Sequence, residues 1–132
     1  MIRLVVFLVF VAAGCGVLQQ AVPPGEATWA LPPEAVITPE TTEFVAMVTE
    51  RACASGQSSE GRVVGPEITY ADDAVTITFG VRPRGANQDC QGNPPTAVAV
   101  TLSEPLGDRR LLDGGSDPPR EPPTCANPAS CE

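Results

Sequence analysis

The sequence predicts an all-β domain, a small antiparallel sandwich or open barrel of about five strands. Two observations carry this. Across residues 41–112 proline thins out and β-branched residues alternate with polar ones. Within that stretch, two cleanly alternating runs flank a short acidic turn, which is the pattern of a β-hairpin.

Residues 44–50 (FVAMVTE) form the first element. Thr38, Pro39 and Glu40 would also suit a helix start, as cap, first-turn proline and early acid. A helix over 39–52 would gather Phe44, Met47, Val48 and Arg51 on one face. The density of Val and Thr and the shortness of the run favour a strand. The hairpin follows. Ile68 and Tyr70 alternate with polar neighbours, Val75, Ile77 and Phe79 alternate with Thr76 and Thr78, and Ala71-Asp72-Asp73 turns the chain between them. Residues 96–102 (TAVAVTL) make a further strand with Val98, Val100 and Leu102 on one face. The run EPLGD at 104–108 then turns the chain into a short last strand over 109–112.

The flanks differ in composition. Residues 19–38 hold Pro23-Pro24 and Pro32-Pro33 and predict an extended tether, with Trp29 packing back onto the domain as an apolar latch. Residues 116–132 are rich in proline and predict a loosely ordered tail, apart from any loop closed by its cysteines.

Arg3 precedes ten consecutive apolar residues, 4–13, with Gly14 and Cys15 next. A short basic region, a short apolar core and small residues at its exit describe a secretory signal. A membrane span needs about 20 apolar residues, which this run does not reach. The stretch Val11-Ala12-Ala13-Gly14-Cys15 resembles the lipobox of bacterial lipoproteins, although Ala12 stands where such boxes usually carry Leu. The resemblance implies that Cys15 is acylated and becomes the mature N-terminus, so that several acyl chains hold the protein on a bilayer. Plain secretion is the alternative. The expected organisation is a signal over 1–14, lipidated Cys15 and tether over 15–40, the β-domain over 41–115 and the tail over 116–132.

With Cys15 assigned to the anchor, Cys53, Cys90, Cys125 and Cys131 form an even set, as expected outside the cytoplasm. Three pairings are open. Cys53–Cys90 and Cys125–Cys131 is favoured, because the first pair lies within the patterned region and the second closes the tail on itself.

Composition excludes more than it identifies. The chain has 132 residues, a formal charge of −8 and eight basic residues, all Arg, with no His. Such a surface repels a phosphate backbone, so nucleic acid is not an expected partner. Without His, neither a Ser-His-Asp relay nor a His-bearing metal site can form. No cofactor or metal is expected and no catalytic residue is assigned. Asp72-Asp73 and Asp113 with Asp117 fall short of a calcium loop's ligand set, and Ser55 has no base to activate it.

Residues 49–57 (TERACASGQ), 90–96 (CQGNPPT), 104–109 (EPLGDR) and Asp113-Gly114 resemble small secreted proteins and lipoproteins of actinobacterial type. The resemblance spans about residues 41–115 and implies an exported address and a core disulfide, without a reaction. The best candidate for recognition is the polar run holding Asn87, Gln88, Asp89 and Asn93, pinned by Cys90. Glu50 with Arg51, and Asp108 with Arg109, are candidate ligand-facing charges. The expected function is a non-catalytic binding module on the outer face of the cell membrane, facing an envelope protein or polymer. The alternative is an enzyme that works through carboxylates such as Glu50 and Glu104 on cell-wall material.

Overall fold

Every strand found in the computed structural model, which describes residues 25–127 and 131, belongs to a single curled, open sheet. Its strands are β1 (Gly25–Ala30), β2 (Glu43–Glu50), β3 (Val63–Tyr70), β4 (Ala74–Val81), β5 (Thr96–Thr101) and β6 (Arg110–Asp113). The path runs β3-β4-β1-β2-β5, with β6 paired to β4. The domain is all-β, as the alternation predicts. All pairings are antiparallel except β4 with β6, which is parallel.

Residues 44–50 form a strand rather than a helix, because period two puts Ala46, Val48 and Glu50 on the buried side while Glu43 and Val45 stay exposed. Thr38 and Pro39 belong to a turn instead, closed by Thr41 N donating to Thr38 O at 3.0 Å and Thr38 N donating to Thr41 Oγ1 at 2.8 Å. The hairpin has the predicted tip, with Tyr70 opposite Val75 and Ala71 N donating to Ala74 O at 2.8 Å. In β4, Val75, Ile77, Phe79 and Val81 all face inward. The β3 strand reaches further back than its alternation showed, because a bulge between Val64 and Glu67 breaks the pattern. Gly65 sits there at φ 103°, with Thr78 O so close that a side chain would crowd it.

The described part of the expected tether is not a tether. Residues 25–30 form β1, the central strand, and Trp29 is not a peripheral latch but the largest fully buried side chain. Its ring packs 5.8 Å from Phe44 and 6.4 Å from Phe79, and its Nε1 donates to Ile77 O at 3.0 Å. The gain from burying so large a ring outweighs the poor strand propensity of Gly, Glu and Ala around it. Residues 1–24, which hold the signal, Cys15 and the start of the tether, lie outside the described residues.

One edge of β1 pairs with β2 along its length. The other is completed in three pieces. Gly25 and Glu26 pair with β4, Trp29 N donates to the Asp113 carboxylate at 3.4 Å, and Leu31 bridges Thr124 of the tail. Gly115 passes so close to Ala27 O that any side chain there would collide with it.

The described tail is likewise docked rather than loose. Leu31 N donates to Pro123 O at 2.8 Å, Cys125 N donates to Leu31 O at 2.9 Å, and Asp113 and Arg120 exchange backbone bonds. Cys125 and Cys131 are joined and pack with Ala30 and Met47 into a small second core on the outer face of the sheet.

Candidate functional site

The end of β2 organises the most structured cleft. Glu50 is buried there, and both of its carboxylate oxygens accept from Arg62, Oε1 at 3.0 Å from Nη1 and Oε2 at a shorter distance from Nη2. Arg62 also donates to Arg82 O at 2.7 Å and to Ser58 O at 3.2 Å. The Glu50 carboxylate hydrogen bond raises the Arg62 pKa above its already high ordinary value, against a smaller opposing effect of burial. This forked pairing is the geometry arginine favours with a carboxylate.

Glu50 is anchored through its backbone as well. Asn93 Nδ2 donates to Glu50 O at 2.9 Å and to Ala52 O at 2.7 Å, tying the loop after Cys90 to the end of β2. Both amide protons are thereby spent on carbonyls, which fixes the orientation of the group. Its Oδ1 is buried and meets no partner among the described residues. Beside it, Cys53 and Cys90 are joined, as favoured from the sequence. The loops are further stitched by Ser55, whose N donates to Asp89 O at 2.9 Å, whose Oγ donates to Gln88 Oε1 at 3.1 Å, and whose Oγ accepts from Asp89 N at 3.0 Å.

These braces enclose a cleft of about 260 Å³ lined by Thr49 to Cys53 on one side and Cys90, Gly92 and Asn93 on the other. Arg51 stands on its rim and also borders a second, more polar cleft of about 490 Å³ with Thr28, Ser116, Asp117 and Arg120. The Arg51 guanidinium pairs with exposed Glu26 at 3.2 Å, and with Asp117 in its lining the second cleft carries both signs of charge.

The structure thus brings together Glu50, Arg51 and Asn93 of the sequence candidates. Gln88 and Asp89 hold the adjoining loop, and Asn87 takes an exposed left-handed turn at φ 61°. Arg109 lies elsewhere, over the Tyr70 ring at 5.4 Å and paired with Glu104 at 2.6 Å, and Asp108 sits beside it in the chain. Glu50 ends β2, whereas Glu104 follows the stretch of β5 that pairs with the start of β2. Eight extended residues separate those ends by about 23 Å, beyond the ~5–9.5 Å at which two carboxylates work on one glycosidic bond. Glu50 and Glu104 therefore do not form a catalytic pair. Among the described residues, Ser55 Oγ bonds Gln88 and Asp89 of the neighbouring loop.

Arg62 was not legible as a site residue, since nothing in the polar loop around it announces a buried partner. Asp113 is a second buried carboxylate that the sequence did not single out for this role. Its oxygens accept from Gly115 N at 2.8 Å, Trp29 N at 3.4 Å and Ser116 Oγ at 3.5 Å, and desolvation pushes its pKa up against these bonds and the charge of Arg120. The signal available was a lone acid closing an apolar strand.

No protein-family description matches the chain, and no curated protein or solved structure shows significant similarity to it. The site is therefore read from its own geometry. The two disulfides indicate an oxidising environment outside the cytoplasm. Among the described residues no helix is long and apolar enough to cross a membrane.

Proposed function

We propose that this protein is an exported lipoprotein, held on the outer face of the cell membrane through acylated Cys15, whose β-domain is a non-catalytic binding module. Its ligand, an envelope protein or polymer, seats an apolar group in the cleft between residues 49–53 and 90–93. The observation that carries this reading is the bracing of that cleft. A disulfide, a doubly donating Asn93 and the buried Glu50–Arg62 pair hold its walls from separate directions. A concave, mostly apolar surface with a few fixed polar groups is the usual form of a binding site, and rigidity lowers the entropic cost of occupying it. Arg51 at the rim supplies a charge for a polar portion of the same ligand.

Photo-crosslinking on intact cells tests the module. Ala52→Phe, at an exposed position in the cleft wall, is expected to abolish a crosslink that the wild-type chain makes to an envelope component. Identical crosslinking by both chains would overturn the cleft assignment. Separately, Cys15→Ala is expected to move the protein from the detergent phase to the aqueous phase, and unchanged partitioning would overturn the anchor.

A further inference from the structure

The two ends of the sheet are built differently. At one end, β3 carries a bulge at Gly65-Pro66 and the exposed acid Glu67, devices that keep a free edge from pairing with another strand. At the other end, β5 reads TAVAVT, without charge, proline or bulge. No strand pairs with its outer edge among the described residues.

Its hydrogen-bonding phase is fixed. Leu102 N donates to Thr42 O at 2.7 Å, just beyond the paired segment. In an antiparallel ladder, residues alternate between bonding their neighbour and facing away. Thr96, Val98 and Val100 therefore bond β2, while Ala97, Ala99 and Thr101 present their N–H and C=O groups outward. All three outward-facing residues are exposed. Val45, opposite Ala99 on β2, is one of the two large hydrophobic side chains left exposed among the described residues, at 41 %.

We propose that this edge pairs with β5 of a second copy of the chain, antiparallel about a two-fold axis at Ala99. Ala99 then faces the partner's Ala99, and Ala97 faces the partner's Thr101, with the third pair related by symmetry. Three bonded pairs exchange about six backbone hydrogen bonds, because each such pair contributes two. The register is self-complementary, as a two-fold interface requires. Small outward side chains let the strands approach, and Val45 of each copy joins one apolar strip with Ala97 and Ala99.

Charge restricts where a second copy can dock. The chain carries 16 acidic residues and a formal charge of −8, so most ways of apposing two copies set acid against acid. The β5 seam has none. Glu43 lies one strand back, beside Thr101, and the two-fold axis sends the two Glu43 residues to opposite ends of the seam.

The test places Ala99→Cys in the full chain. Bonded antiparallel neighbours sit about 5.5 Å apart at Cα, within the range a disulfide spans. A reducible dimer is therefore expected on non-reducing gels. Thr69→Cys, exposed on β3, should yield at least about tenfold less. Ala99→Pro removes only an outward N–H, and Ala99→Lys sets two charges face to face on the axis. Each should lower co-capture of two differently tagged full chains by about tenfold or more, the effect of losing roughly 1.4 kcal/mol. Intact-mass analysis confirming both native disulfides controls for folding. Equal crosslinking by Ala99→Cys and Thr69→Cys, crosslinking of Ala99→Cys to a different protein, or co-capture indifferent to both edge variants would overturn the proposal.

Discussion

Replacing Arg62 by Met tests whether the Glu50–Arg62 pair holds the cleft together. The Glu50 side chain is 3 % exposed and the Arg62 side chain 18 %. Met preserves much of the aliphatic stem but leaves both Glu50 oxygens buried without their forked donor. Ser58 O and Arg82 O each lose a bond as well. Breaking one side of a buried pair costs about 3–5 kcal/mol. Arg62 retains some solvent access, which places the expected loss near the lower end, about 3 kcal/mol. For a small domain with a urea slope of about 1.5 kcal/mol/M, the midpoint falls by about 2 M. Trp29, the sole and fully buried Trp, reports the transition by fluorescence. Glu50→Gln should cost less, because an amide oxygen still accepts one bond. The double variant should fall short of the sum by about 1–3 kcal/mol, as coupled neighbours do. A loss under about 1 kcal/mol for Arg62→Met, or strict additivity, would refute the reasoning.

Asp113 and Gly115 supply two further predictions. Burial raises the Asp113 pKa above its unfolded value, so the folded state binds the proton more tightly. Its stabilising contribution is complete below the ordinary carboxylate pKa and is lost as pH rises through the folded one. The unfolding free energy of the wild type minus that of Asp113→Asn should therefore grow as pH falls from 7 to about 4, and a flat or opposite trend in denaturant titrations would refute the assignment. Gly115→Ala should destabilise by about 1–3 kcal/mol because its methyl collides with Ala27 O. Gly115 is not among the positive-φ glycines, so a neutral effect in thermal melts would place the Asp113 turn further from β1 than the structure does.

What the sequence revealed follows from how local each signal is. The β4 strand was legible because Val75, Ile77 and Phe79 alternate with threonines beside a two-Asp tip, all within one hairpin. β1 was hidden because GEATWA lacks strand-forming density and lies between proline pairs. Its partners make it a strand: β2 along one edge, and on the other β4 and Asp113, the last 84 residues from Trp29. The tail was misread for a related reason: its prolines break repetitive structure without preventing Pro123 and Cys125 from bonding Leu31. At the site, Cys53, Cys90, Glu50, Arg51 and Asn93 lie near the disulfide and could be grouped by it. Arg62 joins them only through the fold. Asp108 and Arg109 resembled Glu50 and Arg51 as adjacent opposite charges, yet the chain sends them to another end of the sheet.

The piecewise completion of β1 also orders events in time. A strand near the start of the chain receives its last neighbours from Asp113 and from Thr124. Because a chain is made N-terminus first, β1 exists well before the residues that finish its second edge, Asp113 lying 84 positions after Trp29. The central Trp29 amide and Leu31 have no lasting partners on that side before then. Contacts so distant in sequence close slowly, so this edge is expected to finish after the local hairpin of β3 and β4 has formed.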